Sequence, residues 1–491
     1  MNNTSSKKVV VNSIIYTFSG VLTKCFNFFL LPLYTTYLTT EDYGTNSIVN
    51  SFVSTMGFVV ALSLFSAVSR FYVDYKEDPE KLKRFYGTIS LFSLLSAVAW
   101  SVAFTVFRNP LSQYIFVGAD YFPIILLSLL SLTFHIQHDI YIMILKSQQR
   151  ALKASVLSLV LFFVHIALNV VFVVFCRLGV VGTVLASMIT NGLCFVAFFV
   201  DFLCKKEIVL CLDWSLLKEA LKYSLPIMPH NLSPKIANFV SKVLIGGSVS
   251  VAALGIYSVA SQFGMISDTI HSYANSAYAP WLYEKLHAKE ENYKKTISRV
   301  VNAMVAVIGL LLLGIALFSQ DYIILFLDPS YSSAWRLVPP IVLVYLIKTI
   351  YYFYVNVLFY YKKAARFLFV ATISSSILNL VLSTILIPKY DAYGSIAADA
   401  IAMIIRVGII TMMSRHVEDI GLSVRDFLIN MGIVAGFILL GLLPAYLNPE
   451  DKFRLLNFGF KIIVTLMYIA LMFVHHKQEI KTVLNRLRKR K

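Results

Sequence analysis

Long apolar segments separated by short polar connections run through the whole chain. Each segment is about as long as the roughly 20 residues that a helix needs to cross the hydrocarbon core of a bilayer. The pattern therefore predicts an all-α polytopic membrane protein with about fourteen transmembrane helices. We place these helices near residues 9–36, 44–69, 85–107, 122–145, 154–175, 180–203, 223–246, 251–277, 300–318, 337–360, 367–388, 393–414, 428–447 and 455–475.

The positions of lysine and arginine support this map. With the N-terminus in the cytoplasm, 31 of the 43 basic residues fall in cytoplasmic segments, 6 in outer loops and 6 inside predicted helices. Cytoplasmic loops of membrane proteins retain an excess of lysine and arginine, and one helix more or fewer would scramble the asymmetry. We therefore expect a multi-pass protein of the bacterial plasma (inner) membrane with both ends in the cytoplasm.

The composition leaves little room for a soluble domain. Hydrophobic residues make up 58% of the 491 residues and charged residues 14%, against about 25% charged in an ordinary soluble domain. The net charge of +17 reflects the topology, and the dense basic cluster at 486–491 is typical of a membrane-surface tail. Nucleic acid is therefore not expected among the partners.

Residues about 211 positions apart match one another, which indicates an internal repeat. An even number of helices separates the copies, so both copies have the same orientation in the membrane. The matching pairs are Lys24 with Lys235, Asn27 with Asn238, and Gly44 with Gly255.

The repeat predicts three parts in the chain. Residues 1–203 form an N-terminal half of six helices, and residues 204–414 form a C-terminal half of six helices. Residues 415–491 add two transmembrane helices and a basic cytoplasmic tail.

Ionisable side chains inside a span cost about 3 kcal/mol or more, so each is a functional candidate. The first and seventh helices carry polar residues at helical spacing, so their polar faces are expected to line a cavity. The candidate substrate-binding residues are Lys24, Asn27, Lys235, Asn238 and Lys242.

An alternative is that these lysines reach the interface or pair with a carboxylate such as Asp268. Asp268 and Asp139 are the candidates for ion coupling or for such an ion pair. Lys461, in the appended helix pair, is assigned no functional role. Histidine, cysteine and carboxylate spacings do not predict a metal site, and no cofactor is expected.

Three prolines, Pro226, Pro229 and Pro234, lie within nine residues of the seventh helix. Proline removes an amide donor and clashes with the preceding turn, so a kink or break is expected beside Lys235. We interpret this segment as a hinge, and a static kink is the alternative.

The chain has no G-x-x-x-x-G-K-[ST] motif, so nucleotide hydrolysis through a P-loop is not expected. The predicted outer loops are short and poor in carboxylates and histidines. The sequence therefore favours a protein that is not an enzyme.

Two segments resemble a known family, the polysaccharide-unit (Wzx-type) flippases of the multidrug/oligosaccharidyl-lipid/polysaccharide exporter superfamily. Segment 31–44 (LPLYTTYLTTEDYG) resembles the family's entry to helix two, and segment 225–233 (LPIMPHNLS) resembles its proline–histidine segment. Where relatives often have Asp-Arg, this chain has Ser241 and Lys242, so the neighbouring carboxylate is lost.

The resemblance implies a flippase that moves an undecaprenyl-diphosphate-linked oligosaccharide across the plasma membrane for surface polysaccharide assembly, by alternating access. It implies this lipid-linked oligosaccharide and membrane lipids as partners, with polysaccharide polymerase and chain-length proteins as further candidates. A cation-coupled drug exporter of the same superfamily and a membrane-bound polysaccharide polymerase or ligase are the alternatives.

Overall fold

A computed structural model of the chain describes residues 18–24 and 28–475, except for 118, 120, 362–367 and 448–451, together with the isolated residues 15 and 26. Over these residues the chain is built from helices joined by short connections, and it contains no strand. It divides into two compact units, Met1–Gly255 and Ile256–Lys491.

The first unit begins with a helical segment at 18–24 and continues through eight helices. They are α1 (Leu31–Tyr37), α2 (Thr40–Val60), α3 (Leu64–Tyr75), α4 (Pro79–Val106), α5 (Leu126–Ser147), α6 (Ala151–Asn169), α7 (Gly179–Cys204) and α8 (Trp214–Ser248). Helix α6 extends into a π-helical turn, Val170–Phe175, and a similar turn, Tyr121–Ile125, leads into α5.

Side chains that precede the helices fix where two of them begin. The Thr39 hydroxyl accepts the Asp42 amide and the Asp42 carboxylate accepts the Thr39 amide, which forms a capping box at the start of α2. The Asp213 carboxylate accepts the amides of Ser215 and Leu216 at the start of α8. These caps satisfy amides that have no partner within the helix.

The second unit contains most of α9 (Val251–Ala288) and five further helices. They are α10 (Tyr293–Phe326), α11 (Val338–Tyr360), α12 (Leu368–Val417), α13 (Val424–Leu447) and α14 (Leu455–His475). Helix α12 is two helices joined at Asp391, whose backbone leaves the helical region with φ 54° and ψ −139°. The two helices predicted near 367–388 and 393–414 both lie in this segment.

In the described part of the chain, nine helices are long and apolar enough to cross a membrane, or ten if the α2–α3 pair, bent by 48°, counts as one span. Helices α8 and α9 are not among them, because charged and amide side chains lower their hydropathy. The first predicted span is described only in part. The predicted number of fourteen is therefore not confirmed, whereas the all-helical membrane fold is.

Helix α4 shows how these helices meet the lipid. Its side chains Leu95, Val98, Val102 and Val106 are exposed and recur every three or four residues, so they lie on one face. An exposed apolar stripe of this length is stable against hydrocarbon and not against water. The chain is a multi-pass membrane protein.

The starts of α2 and α9 approach each other closely at two glycines. A Cβ atom on Gly44 would lie 2.1 Å from the Val251 carbonyl oxygen, and one on Gly255 would lie 1.9 Å from the Thr40 carbonyl oxygen. The two contacts are reciprocal, because Thr40 and Gly44 precede Val251 and Gly255 by the same number of residues. Only glycine allows this separation of the backbones.

The compact units divide later in the chain than the predicted repeat boundary at 203/204. Helix α8, the first helix of the predicted second repeat, packs against α2, α3 and α4 of the first unit. A sequence repeat follows ancestry, whereas a compact unit follows contacts, so the two boundaries need not coincide. The division into 1–203, 204–414 and 415–491 remains a prediction.

A polar cluster ties the connections of the second unit together. The Glu418 carboxylate accepts hydrogen bonds from the hydroxyls of Tyr293 and Tyr361 and from the Lys289 ammonium, at 2.7, 2.9 and 3.1 Å. Burial alone would raise the pKa of Glu418, but these donors stabilise its charged form and bring the pKa below its ordinary value.

Candidate functional site

Helix α8 carries three of the predicted substrate-binding residues on one face. Lys235, Asn238 and Lys242 are separated by three and four residues, which places them above one another along the helix. Lys235 and Lys242 are half-buried, and Asn238 is exposed. The two lysines are two turns apart, about 10 Å along the axis.

These lysines have no anionic partner in direct contact. Neither ammonium forms a hydrogen bond or an ion pair with any residue that the structure describes. The Lys235 Nζ lies 4.6 Å from the centre of the Phe58 ring, and the charge of Asp139 acts on it from a longer distance. A cation–π contact is worth about 0.5–2 kcal/mol, well short of the cost of placing a charge within a membrane.

Two other lysines within predicted spans differ from this pair. The Lys348 Nζ lies 2.6 Å from Asp268 Oδ1, and the Lys461 Nζ lies 2.7 Å from Asp321 Oδ2. Each of these cations is neutralised where it lies. The face of α8 therefore carries two lysines that no carboxylate among the described residues neutralises by direct contact.

The structure places the remaining predicted binding residues only in part. Lys24 lies on the helical segment 18–24 with its side chain exposed. Asn27, its expected neighbour on the same face, lies outside the described residues. The pairing of the first helix with α8 as one binding surface remains a prediction.

Helix α8 continues through Pro226, Pro229 and Pro234 without a break. Neighbouring helices, side chains and small local adjustments can satisfy the carbonyls that a proline leaves without a donor, so prolines are tolerated in membrane helices. The helix is therefore not broken here, and the expected kink and the role of these prolines as a hinge remain predictions.

Asp139 lies on α5 next to a cavity of the first unit that is lined by both polar and apolar side chains. Its carboxylate is 3.6 Å from the His135 Nε2 one turn earlier. His135, His138 and His165 all line this cavity, whose volume is about 400 Å³. His165 lies on α6 whereas His135 and His138 lie on α5, so sequence spacing alone does not show that the three are neighbours.

Asp268, on α9, belongs to an ion pair within the second unit. Its Oδ1 accepts a hydrogen bond from Lys348 at 2.6 Å and a longer one from the Tyr352 hydroxyl at 3.3 Å. The sequence allowed an ion pair between Asp268 and a lysine as an alternative to a binding role. Periodicity places Lys348 on a different helix without showing its rotation, so it did not select Lys348 as the partner. Among the described residues, no group of three histidine, cysteine or acidic side chains could hold a metal ion.

The family model for polysaccharide biosynthesis proteins matches residues 9–286, more than half of the chain. The chain belongs to the polysaccharide biosynthesis protein family. The match spans the whole of α8 and nearly all of α9, so the unpaired lysines lie within the family's own region. The resemblance to flippases of the exporter superfamily is confirmed by this match together with the fold.

Two relatives of this family member come from Haemophilus influenzae. An uncharacterized membrane protein is 24% identical over 382 residues, which cover 75% of this chain and 88% of the relative. Lsg locus putative protein 1 is 24% identical over 290 residues, which cover 58% of this chain and 68% of the relative.

Solved structures of two transporters share the fold. The lipid II flippase MurJ, in an inward closed conformation, matches with a TM-score of 0.69 and 17% identity, over 95% of this chain and 99% of MurJ. An inward-facing multidrug resistance transporter of the MATE family matches with a TM-score of 0.58 and 16% identity, over 80% of this chain and 94% of that chain. The polysaccharide biosynthesis family member therefore has the fold that these two transporters share.

Proposed function

We propose that this protein moves an undecaprenyl-diphosphate-linked oligosaccharide from the inner to the outer leaflet of a bacterial plasma membrane, by alternating access, for surface polysaccharide assembly. The family name, the shared fold with a lipid II flippase and the unpaired lysines of α8 support this proposal. The distribution of basic residues supports a topology with both ends of the chain in the cytoplasm.

The observation that carries the proposal is the pair Lys235 and Lys242, two half-buried cations without an ion-pair partner among the described residues. A diphosphate supplies two or more negative charges and would neutralise both. Lysine is a compact charge on a flexible stem, so it can hold an anion without a fixed geometry. Such contacts suit a headgroup that must slide along the helix.

The remaining parts of the substrate have different requirements. The sugars carry hydroxyls, which the exposed amide of Asn238 can bind. The lipid tail is as apolar as the bilayer and can stay in it while the headgroup crosses. Membrane lipids are therefore partners throughout, and polysaccharide polymerase and chain-length proteins are the proposed partners that receive the product.

A drug exporter of the same superfamily is the second candidate, because multidrug transporters share the fold. Export of cationic drugs requires acidic groups at the binding site, whereas the α8 face has two lysines. A polymerase or ligase is a weaker candidate, since the family and the fold are those of transporters.

The test is glycan export by cells that carry each variant as their only copy. Lys235→Ala and Lys242→Ala should each lower surface glycan at least about tenfold at normal protein level, because one charge-assisted contact is worth about 1.5–3 kcal/mol. Arginine at either position should retain part of the export, since the charge remains.

Lys222→Ala is the matched control, because Lys222 is an exposed lysine of the same helix. It should export like the wild type. Normal export by both alanine variants at positions 235 and 242 would show that these lysines are structural. Sensitivity to cationic drugs with unchanged glycan export, after deletion of the gene, would favour the drug exporter.

A further inference from the structure

A second polar cavity lies within the second unit, between α9, α11 and α12. Its volume is about 260 Å³, and its polar lining comes from Asn275, Lys348, Tyr351, Tyr352 and Arg406. This is smaller than the roughly 300–1,000 Å³ of sites for drug-sized ligands. The cavity therefore suits a single sugar-sized group and not a whole oligosaccharide.

Arg406 presents a positive charge to this cavity. Its Nε donates to the Ser375 hydroxyl at 2.7 Å and its NH2 nitrogen to the Ser376 hydroxyl at 3.4 Å. Asp399 is the acidic residue whose charge acts on it, but that carboxylate accepts its hydrogen bond from the Asn379 amide at 2.7 Å. A guanidinium has five N–H donors, so most of those on Arg406 remain for a ligand.

The other charges of the cavity cancel. Lys348 faces it but is paired with Asp268 at 2.6 Å, and Asp268 also accepts the Tyr352 hydroxyl. The residues that line the cavity therefore carry one net positive charge, that of Arg406. Asp399 does not line the cavity and forms no ion pair with Arg406, although its charge acts on it. An arginine fork matches the two oxygens of a carboxylate or a phosphate, which a lysine does not.

Two tyrosine rings of the cavity are held in place by neighbouring rings. The Tyr352 ring stacks on His271 with centroids 5.5 Å apart and 16° between the planes, and Tyr351 meets Tyr352 edge-on at 5.6 Å. The His271 Nε2 is in turn 2.8 Å from the Thr349 hydroxyl. Rigid aromatic rings bind a ring-shaped ligand at low entropic cost.

Asn275 adds an adaptable polar contact. Its side-chain oxygen accepts the Asn356 amide at 2.6 Å, which orients the group and leaves its NH₂ donors with no hydrogen bond to a described residue. An amide donor beside aromatic rings is suited to sugar hydroxyls. The cavity thus combines the Arg406 guanidinium, a lysine already paired with a carboxylate, two tyrosine rings and an amide.

We propose that this cavity is a subsite for one anionic sugar residue of the transported glycan, whose carboxylate or phosphate group is bound by Arg406. The inference rests on the proposed function and deepens it, since the site differs from the α8 lysines that would hold the diphosphate. It makes the protein selective for repeat units that carry an acidic sugar.

Binding of simple sugars by the purified full chain in lipid nanodiscs tests the site, with saturation-transfer NMR as the readout. The probes are methyl glucuronide for a carboxylate, glucose 6-phosphate for a phosphate and methyl glucoside for a neutral ring. We expect one of the charged probes to bind at least about tenfold more tightly than the neutral one, as one charged hydrogen-bonded contact predicts. The preferred charged probe identifies the source of the anion.

Arg406→Gln should remove this preference, and Arg406→Lys, which keeps the charge and the fold, should weaken it. Arg425→Gln is the matched control, because Arg425 is an exposed arginine of the same unit outside the cavity. Equal binding of charged and neutral probes by the wild type, or an unchanged preference in both Arg406 variants, would overturn the proposal.

A second arm separates this inference from the proposed function. Proteoliposomes receive lipid-linked oligosaccharides that differ in one sugar, acidic in one substrate and neutral in the other. Arg406→Gln should slow the acidic substrate at least about tenfold and leave the neutral one unchanged. Equal rates for both substrates in wild type and variant would refute the subsite while the flippase stands, and no transport of either substrate would refute the flippase itself.

Discussion

The ion pair between α10 and α14 allows a quantitative prediction about stability. The Lys461 Nζ donates to Gln320 Oε1 and to Asp321 Oδ2, both at 2.7 Å, and the Lys461 side chain is fully buried. Lys461→Met keeps the shape of the side chain but leaves the Asp321 carboxylate buried without its partner. Breaking one side of a buried pair costs about 3–5 kcal/mol.

Replacing both charges should cost much less. In the double variant Lys461→Met with Asp321→Leu, no unpaired charge remains, and apolar replacement of a buried pair is often neutral or stabilising. Gln320 loses a donor in both variants, so this cost of about 1–3 kcal/mol cancels in the comparison. We therefore expect the double variant to be more stable than the single variant by about 3–5 kcal/mol.

Equilibrium unfolding of the purified chain in mixed micelles of increasing SDS content measures these differences. Lys452→Met serves as the control, because Lys452 is exposed and its loss should leave the unfolding midpoint unchanged. A double variant no more stable than Lys461→Met would refute the reasoning, since the cost would then come from lost packing and not from an unpaired charge.

Three further predictions test the topology, the helix contacts and the electrostatics. In a cysteine-free background, the cysteine of Lys76→Cys should not react with an impermeant thiol reagent in intact cells, whereas that of Ser330→Cys should react. The reverse labelling pattern would overturn the predicted topology. Gly44→Ala and Gly255→Ala should each lower the free energy of unfolding by about 1–3 kcal/mol, because the new methyl group meets a carbonyl oxygen. An unchanged melting temperature would contradict the close approach of the two helices. The lowered pKa of Glu418 means that its contribution to stability is present above the ordinary glutamate pKa near 4.5 and is lost as the pH falls through the folded value. Glu418→Gln should therefore flatten the acid side of the stability profile, and an unchanged profile would show that the cluster contributes nothing.

The fold class could be predicted from hydropathy and charge distribution, because membrane solvation acts on every helix separately. The number of spans could not, since α8 and α9 are more polar than an ordinary span. Helix α12 shows a different limit, because its kink at Asp391 depends on the backbone conformation of one residue and not on a hydropathy pattern.

The sequence could predict the candidate lysines of the site, but it could not predict which lysine pairs with which carboxylate. The spacing of Lys235 and Lys242 places them on one face of a helix whatever surrounds it. Lys348 and Lys461 look equivalent to them in the sequence, and Lys461 was assigned no role. Their carboxylate partners lie 80 and 140 residues away on other helices. Sequence periodicity does not determine how those helices are rotated, so it does not show which side chains meet.

Transport by the purified chain in proteoliposomes shows whether this protein is itself the flippase. The substrate is an undecaprenyl-diphosphate-linked oligosaccharide, and its arrival in the opposite leaflet is measured by its accessibility to an impermeant glycosidase. We expect transport without ATP. Transport should be faster when the receiving side of the membrane is positive, because each negative charge of the diphosphate that crosses then gains about 2.3 kcal/mol per 100 mV. Lys235→Ala with Lys242→Ala should abolish it and Lys222→Ala should not. Transport no faster than in protein-free vesicles, or an undiminished rate in the double alanine variant, would contradict the account.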